Sequence, residues 1–157
     1  KRCGHFSGKE VISTDEAVAK IKAAVDARSD PDLLVLARTD AAAVLGFEAA
    51  IERALRFGEA GADILFVEAV SSESQIRELP QRLAQPQLMD MVIGGRTPIF
   101  GADELARLGY GIVLYANALV LRFLDTFKEF PPRAAPSSFT ITAAVEKMKK
   151  ALESAGG

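Results

Sequence analysis

The chain opens on Lys1-Arg2-Cys3-Gly4-His5, a thiol flanked by two cations and an imidazole. Such neighbours favour the thiolate and keep its proton exchangeable with a bound substrate. Gly4 lets the backbone approach a ligand or take a positive φ. One Cys and one His fall short of a zinc ligand set. A Cys–His nucleophile pair two residues apart in an extended segment would point the same way without necessarily meeting. A buried structural cysteine beside a surface histidine is the plain alternative. The other residues able to do chemistry are Arg38-Thr39-Asp40, Glu68, the stretch from Asp90 through Thr97, and Tyr115-Ala116-Asn117. Each group follows an apolar run, and charges there are costly without partners or a ligand. An ion-pair girdle, Arg38 with Glu68 or Asp40, would explain each residue taken alone. Four strands ending this way together favour a shared site for a small anion.

The elements that must position these groups are legible in the apolar pattern. Strands are predicted at Leu33–Ala37, Ile64–Val67, Leu88–Val92 and Ile112–Tyr115, nearly continuous runs suited to parallel strands covered on both faces. Asp90 interrupts the third. Ser13 and Glu16 form a capping-box pattern before a helix with Val18, Ile21 and Val25 on one face. After Gly46, Ile51, Ala54 and Leu55 recur at helical spacing until Gly61. Ser72 and Gln75 suggest a second box, with Ile76, Leu79 and Leu83 inward and a kink at Pro80. Asp103 to Leu108 reads as a short helix closed by Gly109. Another begins at Asn117, with Val120, Phe123, Leu124 and Phe127 as its buried stripe.

Strand and helix therefore alternate. A (β/α)8 barrel needs about 250 residues, and four of its units fit here. An open doubly wound sheet shows the same alternation, but no glycine-rich phosphate turn follows any strand. The expectation is an α/β chain forming the C-terminal half of a (β/α)8 TIM-type barrel over residues 1–130. A linker over 131–140, containing Pro131-Pro132, and a C-terminal helix over 141–157 follow. That helix carries Ile141, Val145, Met148 and Leu152 on one stripe, which must dock on its own barrel or on a neighbouring subunit.

The 157 residues can bury a sizeable core, and a net charge of -2 offers no basis for binding nucleic acid or an anionic membrane. No apolar run approaches the roughly 18 residues that span a bilayer, and the first residues lack the apolar core of a signal peptide. One cysteine excludes an internal disulfide and fits a cytoplasmic protein. The absent initiator Met and the dense opening motif read as those of a fragment.

Lys1-Arg2-Cys3-Gly4-His5, Gly8-Lys9, Ala37-Arg38-Thr39-Asp40, Gly61-Ala62-Asp63, Phe66-Val67-Glu68-Ala69 and Gly94-Gly95-Arg96-Thr97-Pro98 together resemble the isocitrate lyase/phosphoenolpyruvate mutase superfamily. The likeness runs from Lys1 to about Phe130. The cysteine string is specific for the carbon–carbon lyase branch, nearest to methylisocitrate lyase and 2,3-dimethylmalate lyase. The resemblance implies a (β/α)8 barrel, a homotetramer exchanging its terminal helices, and Mg²⁺ held by carboxylates on strands before the cysteine motif. No metal ligand is therefore expected in this segment.

The resemblance also implies a retro-aldol type cleavage of a small 2-hydroxy di- or tricarboxylate to a 2-oxo acid such as pyruvate and a second carboxylate. Cys3 would be the proton donor, with Lys1 and His5 stabilising adjacent charge. Arg38 would hold a carboxylate or oxyanion, and Glu68 would accept from a hydroxyl or orient Arg38. Gly4, Asp90 and Thr97 would join Arg38 and Glu68 in binding substrate, and Lys1 to Lys9 would form a closing loop. The lyase pattern has Asn where this chain has Asp90, and Glu where it has Ile93. Its eighth-strand Arg falls one place late, as Arg122 after Leu121, turned about 100° on a helix. A carboxylate at position 90 repels an anion unless a cation such as Arg96 compensates, which favours a smaller dicarboxylate of alkylmalate type. Oxaloacetate decarboxylation or oxo-acid hydrolysis on the same barrel, indifferent to the thiol, is a second reading. A non-catalytic homologue is a third.

Overall fold

The structure is a computed structural model that describes residues 8–129, with side chains as far as Asp125. The expected linker at 131–140 and C-terminal helix at 141–157 lie outside the described residues.

The elements in chain order are α1 (Thr14–Ala27), β1 (Leu36–Thr39), α2 (Ala41–Val44), α3 (Phe47–Glu59), β2 (Ile64–Val67), α4 (Glu73–Arg82), β3 (Leu88–Asp90), α5 (Ala102–Leu108), β4 (Ile112–Leu114) and α6 (Ala118–Glu129). Local chemistry explains most of the helix ends. Ser13 Oγ accepts from the Glu16 amide at 3.1 Å, and Ser72 Oγ accepts from the Gln75 amide at 3.3 Å. Each hydroxyl satisfies a donor that the first turn leaves orphaned. In the second box the returning Gln75 side chain takes the Ser71 amide rather than that of Ser72, at 3.0 Å. Gly109 closes α5 in the left-handed region at φ 105°, which a residue without Cβ reaches cheaply. Helix α4 contains Pro80 in its last turn and continues to Arg82.

All strand pairs are parallel. β1 pairs with β2 from Leu36↔Ile64 to Thr39↔Val67, and β3 with β4 from Leu88↔Ile112 to Asp90↔Leu114. A parallel bridge, Leu65↔Gln87, joins the two pairs, and the Leu65 amide donates to the Pro86 carbonyl at 3.0 Å. Spatial order thus follows chain order, β1-β2-β3-β4, with no reversal. The alternation of elements is that of an α/β fold.

The first strand is displaced from its expected place. The apolar run predicted Leu33–Ala37, whereas the ladder occupies Leu36–Thr39 and leaves Leu33 and Leu34 exposed. Asp63 sets this register. Its Oδ2 accepts from the Val35 amide and from Arg28 Nη1, both at 2.7 Å, while its own amide donates to the Val35 carbonyl at 2.9 Å. The Val35 hydrogen bond, with Arg28, holds the Asp63 carboxyl below the ordinary carboxylate value. Pairing with β2 then starts at Leu36 and carries Arg38 and Thr39 into the strand. Asp90 likewise ends β3 rather than interrupting it.

The core lies between the helices and the sheet, around Leu65, Ile51, Phe57, Ile76, Leu79, Met89 and Leu105, all buried. On α3 the inward face is Ala50, Ile51, Arg53, Ala54 and Phe57, so the expected Leu55 points outward. The expected buried stripe of α6 is corrected too: Val120 and Phe123 are 59% and 60% exposed. An amphipathic period specifies a face, and the face is buried only where another element covers it. Ile112 and Leu114 on β4 are exposed in the same way. Among the described residues, no helix is long and apolar enough to cross a membrane.

Phe57 is 2% exposed and carries the Arg53 guanidinium over its ring at 5.3 Å. Phe57→Ala is expected to cost the intact protein about 3–5 kcal/mol. That loss would show as a lower urea midpoint at unchanged slope. A loss under about 1 kcal/mol would mean that the site collapses to fill the gap.

Candidate active site

The C-terminal ends of β1 and β2 bring four charged side chains into one chain of contacts. Asp40, the residue after β1, accepts from Arg38 Nε at Oδ2 and from Arg38 Nη2 at Oδ1, each at 3.0 Å. Its Oδ1 also accepts from Lys9 Nζ at 2.9 Å. Arg38 Nη2 stands 3.0 Å from Glu68 Oε2, at the end of β2, and the guanidinium lies over the Phe66 ring at 5.0 Å. Lys9, Asp40 and Glu68 are nearly buried, with side chains 7%, 13% and 3% exposed, and Arg38 is the most open at 27%. The ion-pair girdle weighed from the sequence is therefore real. It engages Nε and Nη2 of Arg38 and leaves Nη1 without an acceptor among the described residues. A planar fork held on one side and open on the other can still grip a carboxylate.

Charge states follow the same contacts. Partial burial opposes ionisation of Asp40, but the hydrogen bonds from Arg38 and Lys9 outweigh it and hold the carboxyl below its ordinary value. A depressed carboxyl stabilises the fold above its ordinary range and loses that contribution as pH falls through the depressed value. Burial likewise opposes the Arg38 charge, and Asp40, Glu68 and Asp90 together overcome it, raising its pKa. Arg38 is thus a cation whose field reaches Asp90. Arg96, the compensator suggested by the sequence, is exposed.

The backbone beside Glu68 is unusual. Ala69 has φ 61°, the one non-glycine positive φ among the described residues. The Ala69 amide donates back to Glu68 Oε1, at 3.0 Å, while the Glu68 amide donates to the Thr39 carbonyl at 2.9 Å. A side chain in the left-handed region carries strain that concentrates at functional sites. The Ala69 amide and Arg38 together hold the two oxygens of the Glu68 carboxylate.

Gly8, Lys9, Glu10, Ile12, Arg38 and Asp40 line an open cleft of about 710 Å³, large enough for a small organic acid. Arg53 lines it too, a residue the sequence reading missed. Its Nη1 donates to Thr14 Oγ1 at 3.2 Å, its Nε has no hydrogen-bond partner, and burial lowers its pKa. No strand-end position signals this arginine, because it comes from the second turn of α3. The loops after β3 and β4 are joined by Asn117: its Oδ1 accepts from the Ile93 amide and its Nδ2 donates to the Ile93 carbonyl, both at 2.9 Å. Thr97 is buried in the β3–α5 loop and makes no hydrogen bond to Arg38 or Glu68. Of the expected site residues, then, Arg38 and Glu68 are in contact, and Asp90 is within electrostatic reach of them. Lys1, Cys3, Gly4 and His5 lie outside the described residues, as does the closing loop up to Ser7. Among the described residues no three His, Cys, Asp or Glu side chains gather as a metal site.

Parallel strands in chain order, with a charged cluster at their C-terminal ends, define an α/β protein of the kind that carries its active site there. The chain belongs to the phosphoenolpyruvate phosphomutase family, which matches residues 2–131. It is 45% identical over 120 residues to 2,3-dimethylmalate lyase of Eubacterium barkeri, covering 76% of this chain and 42% of that one. To 2-methylisocitrate lyase of Shewanella oneidensis it is 50% identical over 115 residues, covering 73% and 39%. The crystal structure of a 2,3-dimethylmalate lyase, a PEP mutase/isocitrate lyase superfamily member, superposes on all of this chain and 57% of its own, with TM-score 0.77 and 32% identity. Oxaloacetate acetylhydrolase bound to 3,3-difluorooxalacetate superposes on all of this chain and 58% of its own, with TM-score 0.74 and 31% identity. The chain thus spans about two fifths of the length of the curated relatives it matches.

Proposed function

We propose that the protein containing this chain is a carbon–carbon lyase. It cleaves a small 2-hydroxy di- or tricarboxylate, of alkylmalate or methylisocitrate type, to a 2-oxo acid and a second carboxylate. The observation that carries this is the clamped Arg38, which lines a cleft sized for an organic acid and has no hydrogen-bond acceptor at Nη1 among the described residues. The relatives named as lyases support the same reading.

In this mechanism Arg38 binds the substrate carboxylate, or the oxyanion that develops beside it, through Nη1, with Asp40, Glu68 and Phe66 holding the fork in place. Glu68 accepts from the substrate hydroxyl or acts by orienting Arg38. The C2–C3 bond breaks, its electron pair passes to C3 as an enolate, and the 2-hydroxyl gives its proton to Glu68 as it becomes the carbonyl of the oxo acid. The Cys3 thiol returns a proton to C3, with Lys1 and His5 stabilising adjacent charge and Gly4 allowing close approach. After product release Glu68 loses its proton to solvent and the Cys3 thiolate regains one. Asp90 and Thr97 are the further substrate-binding residues proposed. Mg²⁺ is the proposed cofactor, held by carboxylates on strands that precede this chain. The described residues supply no ligand set for it, and no step above passes through it.

The sequential parallel strands support placing the chain in the C-terminal half of a (β/α)8 barrel over residues 1–130. The exposed apolar faces of β4 and α6 are in keeping with a homotetramer that exchanges its terminal helices, and the single cysteine with a cytoplasmic location.

The test is to incubate the intact protein and Mg²⁺ with 2,3-dimethylmalate, 2-methylisocitrate and oxaloacetate. Pyruvate from either of the first two is the expected product. The likeness to oxaloacetate acetylhydrolase supports a second reading, which predicts oxalate from oxaloacetate and no pyruvate. Silence on all three substrates rejects both.

A further inference from the structure

Resting on the reading of Arg38 as the anion holder, we infer that Lys9 is a positioning residue: by neutralising Asp40 it keeps Arg38 available to a substrate carboxylate. Asp40 Oδ1 is shared between Lys9 Nζ at 2.9 Å and Arg38 Nη2 at 3.0 Å, so the two cations divide one carboxylate. Lys9 is almost fully covered, at 7% side-chain exposure, which makes its charge a local one rather than a solvated one. Asp40, Glu68 and Asp90 all act on Arg38. With Lys9 present, the Asp40 charge is shared between two cations. Removing Lys9 leaves the cluster one unit more negative and turns more of Arg38 to Asp40, so an incoming anion is held less well. Both desolvation and the short distances strengthen this effect relative to a surface pair.

Lys9 also lies four residues after His5 in the chain. The bond to Asp40 therefore ties the segment that follows the cysteine motif directly to the arginine at the end of β1. A lysine that only anchored this segment would need its hydrogen bond but not its charge balance. The two roles separate when Asp40 is neutralised as well.

The experiment uses the intact protein with Mg²⁺ and oxalate as the anion probe, by titration calorimetry, with circular dichroism as the check on folding. Lys9→Met is expected to weaken oxalate binding about tenfold or more. Lys9→Arg should stay within about threefold of wild type, since it keeps the charge. Adding Asp40→Asn to Lys9→Met should recover most of the loss, a non-additivity that a purely structural lysine would not give. Should Lys9→Met not fold, Lys9→Gln takes its place under the same criteria. Wild-type affinity in the neutral variant, or no recovery in the double variant, overturns the inference. A wild-type protein that binds no oxalate overturns both this and the anion-holder reading. A wild-type protein that binds oxalate in a Lys9-dependent way but cleaves no 2-hydroxy acid rejects the lyase reading and supports this inference.

Discussion

Arg38→Lys is expected to lower kcat/KM on the cleaved 2-hydroxy acid by about a hundredfold to a thousandfold, with little change in stability. Lysine preserves the charge, so the partly buried carboxylates of Asp40 and Glu68 keep a cation between them. It cannot preserve the geometry. Arg38 uses Nε and Nη2 against Asp40 and Glu68 and presents Nη1 from the same rigid plane. A single ammonium on a flexible stem must give up either the girdle or the ligand. The stacking on Phe66 at 5.0 Å is lost as well. Arg38→Met separates the two contributions. It should match or exceed the kinetic loss and also destabilise the protein by about 3 kcal/mol, because Asp40 and Glu68 each lose the Arg38 partner. Kinetics of the lysine variant within about threefold of wild type would remove Arg38 from the site.

Cys3→Ser is expected to reduce turnover about a thousandfold or more, while oxalate affinity stays near that of wild type. The argument is one of acidity. A thiol has an ordinary pKa of about 8.5, and the flanking Lys1, Arg2 and His5 favour its thiolate, so it can release and recover a proton within a catalytic cycle. A serine hydroxyl of similar shape is too weak an acid for that task. Binding should persist because Arg38, the proposed anion holder, lies on a different segment. A split between unchanged affinity and lost turnover is the signature of a group acting on the reacting carbon. Full turnover in Cys3→Ser would eliminate the thiol as proton donor and favour the hydrolytic reading, which does not use it.

The site was only half visible in the residue order. Arg38 and Glu68 could be named because they follow apolar runs, where charge is expensive. Their pairing was offered as Arg38 with Glu68 or Asp40, and the structure has both; Lys9 carried no such signal, because its bond to Asp40 spans 31 positions in the chain. Arg53 reaches the cleft from a helix whose apolar spacing marks it as surface, yet its side chain is 5% exposed. Asn117 is the helix start that the sequence marked, its carbonyl accepting from the Leu121 amide at 2.9 Å, and its side chain also bridges two loops through the backbone of Ile93, which the sequence did not signal. The left-handed backbone at Ala69 has no residue signature, since alanine gives no hint of it.

The residue order by itself determined the capped helix starts at Ser13 and Ser72, the glycine stop at Gly109, the four strand–helix units and the span Ile64–Val67. These depend on contacts within a turn or on a period of apolar side chains, and such interactions are written in neighbouring residues. Tertiary structure alone decided three things: that β1 begins at Leu36, where Asp63 anchors Val35; that Val120 and Phe123 of α6 are more than half exposed; and that Lys9, Asp40, Arg38 and Glu68 form one network. Each rests on groups far apart in the chain. Apolar character states that a surface should be buried, and charge states that a partner is needed, but only the packed fold supplies what covers the one and pairs with the other.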